Sequence, residues 1–198
     1  MVESYLFPRF FMKFQASNPD ILLNLHECND SISVNEKLDS DFLDFGIILL
    51  REEEHLENSF KLSDGEFYLC IPLNHKLAQS EKISFAELKN EKFILQPSGT
   101  VQHLVTMTLA ADAGFVPDVL LSTSQLKTIK DLVTGGVAVS LLPKFVLTDE
   151  TKFKAVPINP PVKFKIVLAW SRHKELSPLG TRFLNFFKEI LQSREVTP

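Results

Sequence analysis

The sequence has little of what marks several large classes of protein. Its two cysteines, Cys28 and Cys70, are too few for a disulfide framework, so a reducing cytoplasm is the expected compartment. No stretch approaches the ~20 apolar residues that span a membrane. The first residues lack the basic stretch and long apolar core of a secretory signal. The net charge of −4 argues against a nucleic-acid surface on this chain, so neither membrane nor nucleic acid is an expected direct partner.

The motifs of common enzymes and metal proteins are also missing. Residues 96–100 (Gln-Pro-Ser-Gly-Thr) have neither the glycines nor the Gly-Lys-Ser/Thr ending of a phosphate-binding loop. There is no Gly-x-Ser-x-Gly elbow and no paired Ser/His/Asp arrangement. His26 and Cys28 are not followed by a second pair with metal-site spacing, and no basic residue adjoins Cys28 in the sequence. The sequence therefore predicts no catalytic residue, no metal and no cofactor.

What the chain does have is a regular alternation of helical and strand patterns. Helical spacing predicts helices over 6–17, from residue 30 or 31 to about 42, over 100–113, from 126 to 134, after Pro143 and over 178–191. Apolar runs predict strands at 21–25, 45–50, 67–72, 93–95, 119–121, 137–142 and 164–170. This order predicts an α/β fold, and a length of 198 residues suits two small lobes.

Polar residues follow three of the predicted strands. They are Ser98–Thr100 after strand 93–95, Ser122–Ser124 after strand 119–121, and residues 27–31 after strand 21–25. Open α/β sheets bind ligands beyond the carboxyl ends of their strands, where helix N-termini favour anions. Each of these three polar junctions, where a strand leads into a helix, could equally well be a simple helix cap. Three junctions of one kind, however, favour a ligand-binding cleft.

Four segments, in order and spacing, resemble the effector-binding domain of LysR-type transcriptional regulators. They are Leu43–Ile47 (family pattern Leu-Asp-Leu-Ala-Ile), Ile71–Ala78 (Val-Pro-x-x-His-Pro-Leu-Ala), Ala113–Pro117 (Ala-Gly-Phe-x-Pro) and Leu132–Pro143. The resemblance implies two Rossmann-like lobes of the periplasmic-binding-protein type II kind, joined by two crossover strands. One lobe would be 1–70 plus 171–198 and the other 71–170.

The same resemblance implies a small-molecule effector held between the lobes. The residues that it carries over to the effector site are Ser98, Gly99, Thr100 and Ser124, together with Asn29, Asp30 and Ser4. Two departures stand out. The family's N-terminal winged helix-turn-helix is absent from this chain, so DNA would be contacted only through that missing domain. The family domain also opens with a strand, whereas only Met1–Glu3 precede Ser4 here.

Family dimers pack side by side and antiparallel, which leads us to expect a homodimer. The first 69 residues carry 5 Lys/Arg and 14 Asp/Glu, and the rest carry 16 and 11. Over the implied lobes the net charges are −7 and +3. Opposite charges on the two lobes would favour the antiparallel arrangement.

Two alternative functions remain open from the sequence. A solute-binding protein of a transporter shares the implied fold, although the expected absence of a secretory signal counts against it. An enzyme of the prephenate dehydratase type is suggested by Thr181-Arg182-Phe183. We interpret this tripeptide instead as a helix-packing phenylalanine beside a surface arginine.

Overall fold

The computed structural model describes residues 7–28, 30–149 and 151–192, and it divides into two compact units. Unit 1 consists of Met1–Ser63 and Lys165–Pro198, and unit 2 consists of Asp64–Phe164. The chain passes between them within two long strands, β2 (Ser59–Pro72) and β7 (Phe153–Trp170). The lobe limits expected from the sequence lie toward the far ends of these same strands. None of the described helices is long and apolar enough to cross a membrane.

Unit 1 is built around one strand and the helix that precedes it. Helix α1 spans Phe7–Ser17, α2 spans Ser31–Asp39, and β1 spans Phe45–Arg51 beside β7. Val34 and Leu38 of α2 pack with Ile48 of β1 and with Val167 and Ala169 of β7. The helical spacing of apolar residues in α2 therefore buries one face against the sheet, as the sequence predicts.

A cluster of phenylalanines joins α1 to the last helix, α5 (Pro178–Gln192). The ring centroids of Phe10 and Phe187 are 5.0 Å apart, as are those of Phe14 and Phe183. Such tilted and edge-to-face pairs contribute about 0.5–1.5 kcal/mol each beyond their burial. Phe183 is buried and Arg182 is exposed, so this segment packs as the helix-packing interpretation expects.

The predicted strand at 21–25 is wrong, because residues 21–28 have no regular structure. A strand needs a neighbour for its N–H and C=O groups. No backbone hydrogen bond joins residues 22–28 to another part of the chain that the structure describes. The apolar composition of this segment favours a strand, but the strand that would pair with it is missing from the described part of unit 1.

The centre of unit 2 is β4 (Lys92–Leu95), which has a parallel neighbour on each side. On one side lies β5 (Asp118–Ser122), with Leu95 opposite Ser122. On the other side Val139 bridges to Phe93, just before β6 (Ser140–Pro143). Helices α3 (Val101–Asp112) and α4 (Leu126–Thr134) follow β4 and β5. These elements agree with the prediction, except that β6 starts three residues later than expected.

The rest of unit 2 extends the sheet. Strand β6 pairs antiparallel with β2, and the short β3 (Ile83–Ser84) pairs parallel with β7, which itself neighbours β2. Phe85–Leu88 and Lys144–Val146 form single 3-10 turns. The helix predicted after Pro143 is therefore only a three-residue turn.

Two of the segments that carry the family resemblance, Ile71–Ala78 and Ala113–Pro117, have clear structural roles. His75 Nδ1 accepts the Leu77 N–H at 3.2 Å, and its Nε2 lies 3.3 Å from Glu91, which also pairs with Lys76. Gly114 ends α3 with φ +75°, a conformation that suits glycine. This places Phe115 against Phe85 and Phe93, with ring centroids 6.0 and 6.3 Å away.

Candidate functional site

Two of the three polar junctions lie together at one edge of unit 2. Residues 96–100 follow β4 and residues 123–125 follow β5, and the two strands are parallel neighbours. The Thr123 N–H donates to Leu95 O at 3.0 Å, which holds the second junction against the end of β4. The structure therefore brings Ser98, Gly99 and Thr100 to the same sheet edge as Ser124.

The first junction caps α3 through Thr100. Thr100 Oγ1 donates to Pro97 O at 2.9 Å and accepts the His103 N–H at 3.2 Å. These bonds use the proton of the buried hydroxyl, so its main role is local, as an N-cap. Ser98 is exposed, and Gly99 has φ +91°. Ser98 and the backbone of this turn are thus the parts of the junction open to a ligand.

The start of α3 presents several hydrogen-bond donors. Within the described structure, the backbone N–H groups of Gly99, Val101 and Gln102 have no acceptor. Neither α3 nor α4 carries an acidic side chain in its first turn. The positive ends of both helix dipoles are therefore uncompensated, which favours a negatively charged or polar ligand.

Gln102 belongs to this junction, although the sequence did not single it out. Its Oε1 accepts the Gln96 N–H at 2.8 Å, while its Nε2 has no partner in the part of the chain that the structure describes. The side chain is only 1% exposed. A buried donor without an acceptor costs about 1–3 kcal/mol, and a ligand oxygen or a water would recover that cost. The only sequence signal is its position, directly inside the predicted helix start.

His103 lies one residue further along the same turn. Its Nδ1 is 3.1 Å from Gln96 O. Because a carbonyl oxygen only accepts, this hydrogen bond requires a proton on Nδ1. Two consecutive side chains of α3 are therefore tied to the backbone of Gln96, which fixes the shape of the junction.

The second junction differs from the expectation in one detail. We expected an N-cap among Ser122–Ser124, but the capping residue of α4 is Gln125, whose side chain makes no cap bond. Thr123 Oγ1 accepts the Gln125 N–H at 3.1 Å, and Ser124 is exposed. The Ser124 hydroxyl is therefore available at the helix start.

The remaining predicted site residues belong to unit 1. Ser4 and Asn29 lie outside the described residues. Asp30 is the N-cap of α2, where its two carboxylate oxygens accept from Ser33 N at 2.7 Å and from Ser33 Oγ at 2.9 Å. The role of Asp30 that the structure explains is this cap, and an effector contact by any of the three residues stays a prediction.

The two cysteines have different surroundings. Cys70 is fully buried, and burial raises the pKa of its thiol to about 12. Cys28 is half-buried, and Lys37 Nζ lies 3.4 Å from its Sγ. No basic residue is next to Cys28 in the sequence, but the expectation is wrong for the folded structure, because α2 places Lys37 beside this cysteine. Over the described ranges, no group of three His, Cys, Asp or Glu side chains could hold a metal ion.

The sequence is similar to known transcriptional regulators. A family profile described as the LysR substrate binding domain matches residues 1–192. YwbI of Bacillus subtilis (strain 168), described as an uncharacterized HTH-type transcriptional regulator, is 29% identical over 194 residues. That match covers 96% of this chain and 64% of YwbI, so the chain spans less than two thirds of this relative.

Solved structures with the same fold include two with bound ligands. The regulatory domain of Synechocystis PCC6803 CcmR, in complex with 2-PG, has a TM-score of 0.86 at 22% identity. The effector-binding domain of QuiR, in complex with shikimate, has a TM-score of 0.82 at 19% identity. Each match covers 98% of this chain and 94% of the other. These likenesses show the expected α/β fold of the type II periplasmic-binding-protein kind.

Proposed function

The chain belongs to the LysR substrate-binding domain family, and on that premise we propose that it senses a small polar or anionic metabolite for a LysR-type regulator. The metabolite binds at the starts of α3 and α4, through Ser98, Gly99, Gln102 and Ser124. Its binding alters DNA binding or transcription through the winged helix-turn-helix of the full regulator. Because the chain spans only 64% of YwbI, the DNA target of a full regulator belongs to the proposal as well.

The observation that carries the proposal is the unpaired donor set at one sheet edge. Among the described residues, Gln102 Nε2 is buried without a partner, and the N–H groups at the start of α3 that have no acceptor lie in the same turn. Anionic or hydroxylated ligands match such donors, and shikimate in the QuiR structure is of this kind. We therefore propose a carboxylate or another small oxyanion as the recognised group.

Binding at this edge needs only modest energy to act as a signal. Allosteric couplings are typically about 1–3 kcal/mol, which changes the affinity at the second site about 5–150-fold. The ligand supplies acceptors for donors that have none among the described residues, so the ligand-bound arrangement of α3 and α4 is favoured. This is a binding function, and the proposal assigns no catalytic residue and no cofactor to the chain.

Isothermal titration calorimetry with a panel of small carboxylates and phosphate esters, starting with shikimate, tests the site. Gln102→Glu keeps the oxygen that accepts the Gln96 N–H but replaces the buried donor with a negative charge. We expect it to weaken binding of an anionic ligand at least tenfold, or about 1.4 kcal/mol. Ser124→Ala should weaken binding less, and Thr128→Ala, an exposed position on α4, should not change it. A ligand whose affinity ignores both site variants would contradict the proposal.

We also propose that two copies of the chain associate side by side and antiparallel, with unit 2 of each copy against unit 1 of its partner. Large apolar side chains on α3 and β5 are 36–46% exposed: Leu104, Met107, Val119, Leu120 and Leu121. Such exposure is typical of a protein interface. The two units differ less in charge than the lobes expected from the sequence, because unit 1 carries 11 Lys/Arg and 15 Asp/Glu whereas unit 2 carries 10 of each. Opposite charges therefore favour the antiparallel arrangement less than expected.

Sedimentation velocity tests the association. At micromolar concentration we expect a dimer that Leu120→Glu converts to a monomer. Val137→Glu, at an exposed position outside α3 and β5, should leave the dimer intact. A monomer of the unaltered chain at both low and moderate salt would rule out this interface.

The alternatives fit the relatives less well. YwbI is described as a transcriptional regulator, which supports a regulator over a transport protein or an enzyme. A regulator of transcription works where the DNA is, so we propose a cytoplasmic location. Turnover of prephenate that is lost in Arg182→Ala would revive the enzyme alternative.

A further inference from the structure

The two polar junctions of unit 2 share a single group that changes charge near neutral pH. Residues 96–103 and 122–125 contain one histidine, His103, and no acidic residue, lysine, arginine, cysteine or tyrosine. The Nδ1 atom of His103 is 3.1 Å from the carbonyl oxygen of Gln96, the residue that directly follows β4, so the imidazole lies at the first junction. Imidazole is the side chain that ordinarily gains or loses a charge between pH 5 and 8. The charge of these junctions therefore depends on one proton.

The hydrogen bond to Gln96 decides which ring nitrogen takes that proton. Nδ1 needs a proton in order to donate to the carbonyl oxygen, so a second proton, taken from the solvent, goes to Nε2. The bond to Gln96 is thus kept in both states. His75, the other histidine of unit 2, differs because its Nδ1 accepts the Leu77 N–H, and a proton there would break that bond. Protonation of His103 changes the charge of the junction and leaves its local bonds in place.

The described surroundings of His103 show no negative partner for its charged form. His103 is the third residue of α3, where the positive end of the helix dipole disfavours a cation. Neither α3 nor α4 has an acidic side chain in its first turn. An opposite charge within about 4–6 Å favours the ionised form of a titratable group. An anion bound at the start of α3 would supply this counter-charge.

The charged side chains on the neighbouring strands and turn lie away from the junction. Strands β4 and β6 and the turn Phe85–Leu88 pack against α3, and β5 pairs with β4. Lys92 and Asp118 lie opposite each other at the starts of β4 and β5, about 13 Å along the strands from the junctions. The carboxylate of Glu87 accepts the Ser84 N–H at 2.8 Å. Strand β6 carries no charged residue.

The charged side chains on the two helices are also distant or already engaged. Asp112 is at the far end of α3, about 13 Å along the helix from His103. On α4, Lys127 pairs with Asp131 at 2.5 Å, and Lys130 donates to a carbonyl oxygen of the turn that follows β6. Within unit 2, a bound anion is therefore the counter-charge that the protonated imidazole gains.

We propose that His103 links effector binding to a proton: an anion bound at the starts of α3 and α4 favours the protonated imidazole, and binding tightens as the pH falls. This rests on the proposed function, because it concerns the same site. His103 is a positioning residue in both states, through Gln96, and balances the charge of the ligand only when it is protonated. The site therefore selects an anion over a neutral ligand more strongly at pH 6 than at pH 8.

The test uses sodium sulfate and sodium shikimate as probes, because both anions stay ionised between pH 6 and pH 8. Amide shifts of the labelled chain at residues 98–102 and 124 give the affinity, with sodium chloride at matched ionic strength as the reference. We expect binding about tenfold tighter at pH 6 than at pH 8. His103→Asn keeps an N–H donor for Gln96 but cannot gain the charge, so its affinity should change less than about twofold. His55→Asn, at an exposed position of unit 1, should keep the full pH dependence.

The outcomes separate this proposal from the proposed function. Saturable shifts at residues 98–102 and 124 with equal affinity at both pH values would overturn the proton link and leave the effector site standing. The absence of such shifts with sulfate, shikimate and the other carboxylates of the panel would overturn both. A pH dependence that persists in His103→Asn would reject the role of His103.

A second measurement on the unaltered chain decides the matter if His103→Asn fails to fold. At pH 7, sulfate should move the ring signals of His103 toward their low-pH positions and leave those of His55 in place. Ring signals of His103 that stay unchanged while the amides of residues 98–102 saturate would overturn the proposal.

Discussion

The two units differ most in how their central strands are paired. In unit 2, β4 has a parallel neighbour on each side, and the polar ends of two adjacent strands meet at one edge. In unit 1, β7 is the only strand beside β1 among the described residues, and the first residues of β1 line a cavity. The difference shows that the sequence of a segment sets its preference for the strand conformation, whereas a neighbouring strand decides whether the segment forms a strand. The proposed effector site lies in unit 2, where the central strand has described neighbours on both sides.

The largest expected effect compares a phenylalanine from each unit. Phe93 of unit 2 is fully buried and packs against both Phe85 and Phe115, so Phe93→Ala should cost about 3–5 kcal/mol. Phe14 of unit 1 is 1% exposed but lines the cavity, so Phe14→Ala should cost less, near the lower end of that range at about 3 kcal/mol. Urea denaturation followed by circular dichroism measures both. An equal or larger cost at Phe14 would mean that the packing of unit 1 is as complete as that of unit 2.

A smaller effect is expected at the end of α3 in unit 2. Gly114 has φ +75°, so Gly114→Ala should destabilise the protein by about 1–2 kcal/mol through backbone strain. Gly135 is the matched control, because it ends α4 with φ −71° and a Cβ there meets no atom closer than 3.4 Å. We expect Gly135→Ala to be neutral or slightly stabilising. Thermal melts of the two variants compare them directly, and equal losses would refute the strain argument.

The smallest effect concerns Glu91. Burial raises the pKa of its carboxyl group, but hydrogen bonds from Lys76 and His75 outweigh burial and leave that pKa below its usual value. The bonds therefore stabilise the fold above the ordinary carboxyl pKa, and this contribution is lost as the pH falls through the lowered value. Glu91→Gln should cost at most about 1 kcal/mol at pH 7.

Urea denaturation at pH 7 and again near pH 3 measures this dependence. We expect the difference between wild type and Glu91→Gln to shrink at the lower pH, where the carboxyl group becomes protonated. Lys89→Gln changes a nearby exposed charge and serves as the control. A difference that grows as the pH falls would contradict the assigned direction of the pKa shift.

The sequence predicted most of unit 2 because its signals are local. The β4 and β5 runs, the polar residues after them and the Ala-Gly-Phe turn each depend on neighbouring residues in the chain. The strand expected at 21–25 failed because a strand needs a partner from elsewhere, and the described structure contains none beside it.

Two features of the sites lay beyond the sequence for a similar reason. That Nε2 of Gln102 has no partner in the described part of the chain depends on its folded surroundings, since helical spacing alone cannot tell whether a buried donor finds an acceptor. Lys37 is nine residues from Cys28 in the chain but 3.4 Å away in space. Contacts formed through a helix are missed when only adjacent residues are considered.

The central claim is that the starts of α3 and α4 hold a small anionic or polar effector. The most direct test is to record amide chemical shifts of the isotope-labelled chain during a titration. The titrants are the carboxylates that calorimetry has shown to bind. We predict that the largest saturable shifts fall at residues 98–103 and 123–127 and include the side-chain amide of Gln102. Saturable binding that leaves those residues unchanged, with shifts only in unit 1, would contradict the claim.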